Sequence, residues 1–205
     1  MFEKYDGRMV RATDRWGHIY TGTARVECAE FIFHEYGEDE EGVFISGVLI
    51  YAGDIADIEE RPELSVIRAE QTWQIAGAYY VRIQAMAKKH HITLRQEFDD
   101  HDGPDTKYIV VTDGGFPVAT ARMFPLDNDS MMIGRVVVLP EYRHKGIGRM
   151  VVDECEGWAE ELHYSKAAVD SRDNKVEFYE QLGYEVCGDA ADGGTFRCVR
   201  MEKEL

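Results

Sequence analysis

The fold of this chain is decided by the stretch Val138-Leu139-Pro140-Glu141-Tyr142-Arg143-His144-Lys145-Gly146-Ile147-Gly148-Arg149. Residues 131–139 are mainly apolar, and residues 147–162 carry apolar side chains at helical spacing, so a strand gives way to an amphipathic helix here. Gly146 and Gly148 allow close approach of a ligand, and the amides of a helix N-terminus bind anions, above all a pyrophosphate. Solvated bases at an ordinary helix start are the alternative. That alternative does not account for the whole string, because its bases reverse the charge of an acidic chain.

A second motif follows about thirty residues further on, Asn174-Lys175-Val176-Glu177-Phe178-Tyr179-Glu180-Gln181-Leu182-Gly183-Tyr184. Together the two segments resemble the GCN5-related N-acetyltransferase (GNAT) superfamily, whose R/Q-x-x-G-x-G/A loop stands here as Arg143-x-x-Gly146-x-Gly148. The resemblance covers roughly residues 65–205 and is closest to the ElaA-like branch. The residues that carry this closer likeness are Arg82, the segment 94–102 and the segment 117–122.

The resemblance implies an α/β (α+β) GNAT fold with a mixed central sheet, acetyl-CoA as co-substrate and transfer of its acetyl group to an amine. It also implies that Tyr179 protonates the departing thiolate and that Asn174 hydrogen-bonds the pantetheine. The backbone of Val136, Val137 and Val138 is expected to pair with the pantetheine arm as an added strand. The pyrophosphate is expected on the amides of Arg143, His144, Lys145, Gly146, Ile147, Gly148 and Arg149.

The amine must lose a proton before it attacks, and Glu97 is the first candidate for the base, directly or through a water. Glu97, Asp99, Asp100 and Asp102 place four carboxylates in six residues. This run is either a rim that attracts a cationic amine or a solvated loop. Attack by an amine that is already neutral needs no dedicated base. A small amine and a protein lysine both remain open as acceptors.

Another function is also open, that of a non-catalytic acyl-CoA sensor that uses an N-terminal domain to dock a partner. Tyr179 and the intact glycine loop favour the enzyme over this sensor. Transfer to an amine would distinguish the two, because the sensor would bind acetyl-CoA without turnover.

Residues 1–60 have a different pattern, with short β-rich runs separated by turn signals. Five strands in so short a segment must close into a small barrel to bury a core and hide their edges. The segment resembles an Sm-like (LSm) barrel, through Tyr5–Val10, Trp16–Gly17–His18, Tyr20–Thr23 and Ile50–Ile58. The predicted strands are Arg8–Thr13, His18–Glu27, Ala29–Tyr36, Gly42–Tyr51 and Ile55–Glu59.

A domain boundary is predicted at Arg61-Pro62-Glu63, which gives a barrel over residues 1–62 and an acetyltransferase domain over residues 63–205. Sm proteins usually bind RNA, but residues 1–62 hold six Lys/Arg against fourteen Asp/Glu, a net charge of −8. We therefore expect the barrel to be separable and not to bind RNA.

Composition and charge indicate which binding partners, metal sites and cell compartments to expect. The formal net charge of −16 disfavours nucleic acid and favours cationic partners. The four cysteines are scattered without a CxxC pair and the histidines match no ligand spacing, so no metal site is expected. No stretch approaches the roughly 20 apolar residues that span a bilayer, so we expect a cytoplasmic protein that does not associate with membranes. The sequence leaves a homo-oligomer open.

Overall fold

The structure is a computed structural model that describes residues 2–28, 41–188, 192–193 and 196–205. The strands are β1 (Met9–Asp14), β2 (Ile19–Thr23), β3 (Arg25–Cys28), β4 (Glu41–Ile45), β5 (Val48–Tyr51), β6 (Ile55–Glu60), β7 (Leu64–Arg68), β8 (Lys107–Asp113), β9 (Phe116–Pro125), β10 (Ser130–Val138), β11 (Lys166–Arg172), β12 (Glu185–Val186), β13 (Asp192–Gly193) and β14 (Phe196–Glu204). The α-helices are α1 (Thr72–Arg82), α2 (Lys88–His90), α3 (Leu94–Glu97), α4 (Ile147–Glu161) and α5 (Val176–Glu180).

The large sheet is mixed, as the sequence predicted. Its described strands follow the order β12-β14-β11-β10-β9-β8-β7, with β13 attached to β14. Strands β10 and β11 run parallel, and the other pairs along this path are antiparallel. The first strand of the sheet, β7, was not recognised in the sequence, because Leu64–Arg68 follows directly after the proline break.

Side chains of the central strands alternate between two apolar layers. Ile109 and Val111 face the main core, which contains the buried face of α4. Tyr108 and Val110 point the other way, into a smaller cluster with Ala78 of α1. This period of two places one helix layer on each face of the sheet.

Apolar side chains at helical spacing in Gln71–Lys89 predict one helix, and the structure has this helix with a local irregularity. It begins at Thr72, where the Gln74 side chain accepts hydrogen bonds from the preceding amides of Glu70 and Gln71 at 2.8 Å. After Arg82 the backbone passes through a π-helical turn, Ile83–Ala87, before it ends in α2. Such turns are often found at functional sites.

The N-terminal segment forms two three-stranded sheets, β2-β1-β6 and β3-β4-β5. They share one core, which holds Val10 and Ala12 from the first sheet and Val43 and Ile45 from the second. No ladder joins the two sheets within the described residues, so the expected closed barrel is not found there.

Two strand predictions in this segment need correction. Gly42–Tyr51 is a hairpin rather than one strand, because Ser46 and Gly47 take positive φ values of 47° and 72° and turn the chain. His18–Glu27 is divided at Ala24 into β2 and β3, and β3 pairs with β4. The strand expected at Ala29–Tyr36 lies outside the described residues.

Strand pairing changes across Arg61-Pro62-Glu63. Strand β6 on one side pairs with β1, whereas β7 on the other side pairs with β8 of the large sheet. The two parts nevertheless touch, since β2 packs on the first turns of α4.

Cys155, Cys187 and Cys198 are in the thiol form, with no disulfide among the described residues. Across residues 2–28, 41–188, 192–193 and 196–205, no helix is long and apolar enough to cross a membrane. The same residues contain no group of three or more His, Cys, Asp or Glu side chains that could hold a metal ion.

Candidate active site

The central feature of the site is the separation of β10 from β11. Their parallel ladder covers only Ser130, Met131 and Met132, and the strands diverge beyond it. Within the described residues, the edge of β10 that faces β11 therefore has no partner strand at Val136–Val138. An unpaired strand edge of this kind can receive an extended ligand by backbone hydrogen bonding.

A β-bulge lies in the same part of β10. The register against β9 shifts between Gly134 and Val137, and Arg135 between them has a φ of 49°. An L-residue with such a φ is uncommon and strained. The bulge redirects the backbone of β10 where the two strands separate.

The loop before α4 has the geometry of an anion site. His144 and Gly146 take φ values of 58° and 76°, and α4 begins at the next residue, Ile147. The N–H groups from Gly146 to Arg149 donate to no other group of the described chain. Because they lie at the positive end of the helix dipole, they form a set of donors suited to a phosphate group.

The three bases of this loop have different surroundings. Arg143 donates through Nε to the carbonyl of Val138 at 3.0 Å, which ties the loop to the end of β10. Arg149 donates to the carbonyl of Gln181 at 3.0 Å, after α5. The Lys145 amine lies 5.1 Å above the Tyr142 ring. Arg143 and Arg149 thus tie the loop to the end of β10 and to the segment after α5.

Tyr179 on α5 is partly buried and packs edge-on against Phe178 and Tyr184, with ring centroids 5.0 and 5.6 Å away. Burial raises the pKa of its hydroxyl well above the ordinary range, so the phenol stays protonated at neutral pH. The hydroxyl has no hydrogen-bond partner among the described residues. Asn174 is exposed, in the short turn between β11 and α5.

The acidic run is not a bare carboxylate rim. Arg82 is fully buried. It contacts Glu97 twice, since its Nε lies 2.8 Å from Glu97 Oε1 and its Nη2 donates to the Glu97 carbonyl at 2.6 Å. Its Nη1 forms an ion pair with Asp102. Arg122 Nη1 lies 2.6 Å from Asp99 and 2.9 Å from Asp102. Three of the four carboxylates are therefore compensated by arginines.

Arg135 adds a third arginine to this network, and it comes from the bulge of β10. Its Nη2 lies 3.1 Å from Asp99 Oδ2, and its Nε donates to the Glu97 carbonyl at 3.3 Å. Three positive charges thus match three negative ones. Asp100 is exposed and makes no ion pair in the described chain, so it alone fits the expected acidic rim.

Asp102 lies at the centre of the network. Burial would raise the pKa of its carboxyl, but hydrogen bonds from Arg82 and from the Tyr108 hydroxyl, at 2.7 Å, hold that pKa well below its usual range. Burial would likewise raise the pKa of the Asp99 carboxyl, but the hydrogen bond and the charge of Arg122 lower that pKa below its usual range. Both groups are therefore ionised at neutral pH and bound to their arginines.

Sequence reasoning singled out Arg82, Glu97, Asp99, Asp102 and Arg122 as parts of the segments that resemble the ElaA-like branch but did not pair them. Salt bridges between residues 15 to 23 positions apart, as in Arg82–Glu97 and Arg122–Asp99, leave no periodic signal in a sequence. Arg135 gave no signal either, because the bulge that aims its side chain is a tertiary feature.

The comparisons agree with this geometry. The model of the Acetyltransferase (GNAT) family matches residues 58–184, more than half of the chain. The uncharacterized N-acetyltransferase YjcF of Bacillus subtilis is 26% identical over 62% of this chain and 89% of its own length. A solved structure from Lactobacillus plantarum, 27% identical, superposes with a TM-score of 0.65 over 69% of this chain and 98% of its own.

The fold is also that of Escherichia coli ElaA, with a TM-score of 0.59 and 17% identity over 69% of this chain and 99% of the other. The family model begins at residue 58 and so leaves out most of the N-terminal segment.

Proposed function

Because this chain belongs to the GNAT family of acetyltransferases, we propose that it transfers the acetyl group of acetyl-CoA to a primary amine of a small molecule or of a protein lysine. It is a GNAT-type N-acetyltransferase; the identity of the acceptor is the proposal. The observation that carries it is the three-residue ladder between β10 and β11, beside the free amides at the start of α4.

The co-substrate is proposed to bind along this opening. The backbone of Val136, Val137 and Val138 pairs with the pantetheine arm, and the amides from Arg143 to Arg149 hold the pyrophosphate. Asn174 is exposed on the pantetheine side. A pyrophosphate there is stabilised by the helix dipole and by three nearby bases.

The chemistry follows from the groups around this opening. The amine nitrogen attacks the thioester carbonyl, the C–N bond forms, and the C–S bond breaks. Backbone N–H groups at the bulge of β10 stabilise the oxyanion as it develops. Tyr179 then gives its proton to the departing thiolate. Its raised pKa supports this role, since the proton is present when the thiolate leaves.

The proton of the amine has two possible destinations. Glu97 is proposed as acceptor, through a water, but it is only 1% exposed and its carboxylate is held by Arg82. A carboxylate buried and held in this way is poorly placed to take a proton from an amine. The network therefore favours the alternative, in which the amine reacts in its neutral form and needs no dedicated base before attack. The proton that the nitrogen loses as the amide forms then replaces the one that Tyr179 has given to the thiolate.

The acceptor is proposed to enter by an open groove near α1 and α3. The groove is lined by the side chains of Tyr79, Ile83, Leu94 and Phe98, by Arg95, and by the carboxylates of Asp99, Asp100 and Asp102. Its apolar side chains and its carboxylates, of which Asp100 makes no ion pair in the described chain, fit an amine that arrives as a cation.

We propose that residues 1–62 and 63–205 are two domains, the first of them an Sm-like unit with no role in RNA binding. Pairing of β1 with both β2 and β6 supports this likeness, as does the core shared by the two sheets. Free thiols support a reducing compartment, the cytoplasm.

The test is a screen of amines with acetyl-CoA, read by release of the CoA thiol and by mass spectrometry of the amine. Transfer to at least one primary amine is expected, with polyamines and lysine peptides included. Tight binding of acetyl-CoA without transfer to any amine would support the sensor. No binding would reject both functions.

A further inference from the structure

The N-terminal unit touches the loop proposed to bind the pyrophosphate. The Thr21 hydroxyl of β2 donates to the carbonyl of Lys145 at 2.5 Å. A Cβ added at Gly146 would lie 2.7 Å from the Thr21 amide nitrogen and 3.1 Å from the carbonyl oxygen of Ile19. The loop and strand β2 are thus in direct backbone contact.

This hydrogen bond fixes the orientation of one peptide group. The chain has no cis peptide bond among the described residues, so the bond between Lys145 and Gly146 is trans. In a trans peptide the C=O and N–H point in opposite directions. Because the Lys145 carbonyl points at Thr21, the Gly146 N–H points away from the N-terminal unit. That N–H belongs to the free donor set at the start of α4.

Thr21 is itself held in place by a hydrogen bond from Ser46 and by close packing around it. Its side chain is fully buried, and its carbonyl accepts a hydrogen bond from the Ser46 hydroxyl at 2.7 Å. Close contacts surround this pair: a Cβ at Gly22 would lie 2.4 Å from Ser46 Oγ, and one at Gly47 would lie 2.9 Å from Asp153 Oδ1 on α4. A hydroxyl on a strand so constrained can orient a loop rather than follow it.

We infer that Thr21 is a positioning residue for acetyl-CoA binding: its hydroxyl holds the Lys145–Gly146 peptide so that the Gly146 N–H faces the pyrophosphate. This inference rests on the proposed function. It makes the N-terminal unit a part of the co-substrate site, in contrast to the separable barrel expected from the sequence. It also gives a second reason for glycine at position 146, besides close approach of a ligand. A side chain there would collide with the backbone of β2.

The test compares the full-length Thr21→Val variant, which keeps the shape and loses the hydroxyl, with Thr21→Ser, which keeps the hydroxyl. Thr23→Val, an exposed position on the same strand, is the matched control. Thr21→Val should raise the KM for acetyl-CoA about tenfold, the effect of weakening one hydrogen bond to a charged group, with kcat unchanged. Thr21→Ser and Thr23→Val should behave as the wild type.

A second acetyl donor distinguishes a loss of loop positioning from general damage to the enzyme. Acetyl-pantetheine has the thioester and the pantetheine arm but no pyrophosphate, so Thr21→Val and the wild type should use it equally. Loss of activity with both donors, or a KM for acetyl-CoA equal to that of the wild type, would overturn the inference. If Thr21→Val does not fold, Ser46→Ala replaces it, with a smaller shift in the same KM expected and an unchanged KM refuting. A wild type that never binds acetyl-CoA would reject the proposed function itself.

Discussion

Replacing Arg82 by methionine tests whether the buried ion network holds the site together. The guanidinium contacts Glu97 and Asp102 and lies 4.3 Å from the centre of the Phe98 ring, with no exposed surface. Methionine fills similar space but offers no donor. Two carboxylates that were buried as ion pairs then lose a partner, although Arg122 and Tyr108 still contact Asp102.

The expected cost is about 3–5 kcal/mol of unfolding free energy, the range for breaking a buried pair by removing one partner. This is a large part of the ~5–15 kcal/mol that stabilises a typical domain. The cost depends on pH. Since Arg82 lowers the pKa of Asp102, its contribution is present above the unfolded carboxyl pKa and is lost as the pH falls through the lowered value. The deficit of the variant should therefore shrink below about pH 4.

Urea unfolding, followed by tryptophan fluorescence at pH 7 and at lower pH, measures this difference. Arg95→Met on α3 is the matched control, because Arg95 is exposed; its effect should stay within about 0.5 kcal/mol. An Arg82→Met variant within about 1 kcal/mol of the wild type at pH 7 would refute the reasoning.

Three further predictions concern the site and the interface. Tyr179→Phe should lower kcat by about 10²–10⁴-fold and leave acetyl-CoA affinity unchanged; an unaltered kcat, with chemistry rate-limiting, would remove Tyr179 from the mechanism. Asp100→Asn should lower kcat/KM for a polyamine and weaken its dependence on ionic strength, whereas a rate indifferent to salt in the wild type would argue against a cationic acceptor. Burial raises the pKa of Asp153 to about 6. Above that pH the buried carboxyl is ionised in the folded protein, which lowers the free energy of unfolding. This destabilisation disappears as the pH falls toward the pKa of the carboxyl in the unfolded chain. Asp153→Asn should therefore stabilise the protein by about 2 kcal/mol at pH 8 and very little near pH 4, as checked by denaturation at both values; equal gains at both would show that the carboxyl is not perturbed.

The sequence predicted what depends on local pattern. The glycine-spaced helix start and the amphipathic residues of α4 carry their own turn residues and periodicity. The mixed sheet followed from the family resemblance, and the structure confirms it.

Features that depend on tertiary contacts could not be predicted. The acidic run looked solvent-facing because Arg82, Arg122 and Arg135 reach it from three separate elements. The hairpin inside Gly42–Tyr51 was missed because Ser46 is not a typical residue for positive φ. The contact of Thr21 with Lys145 joins residues 124 positions apart.

Calorimetric titration with acetyl-CoA tests the central claim most directly, that the free amides at the start of α4 form the co-substrate site. The wild type should bind in the micromolar range, about −8 kcal/mol. Lys145→Glu should weaken binding at least tenfold, because it puts a negative charge beside the proposed pyrophosphate, while Lys4→Glu, exposed in the N-terminal unit, should not. Equal affinity in Lys145→Glu and the wild type, or no binding by the wild type, would contradict the account.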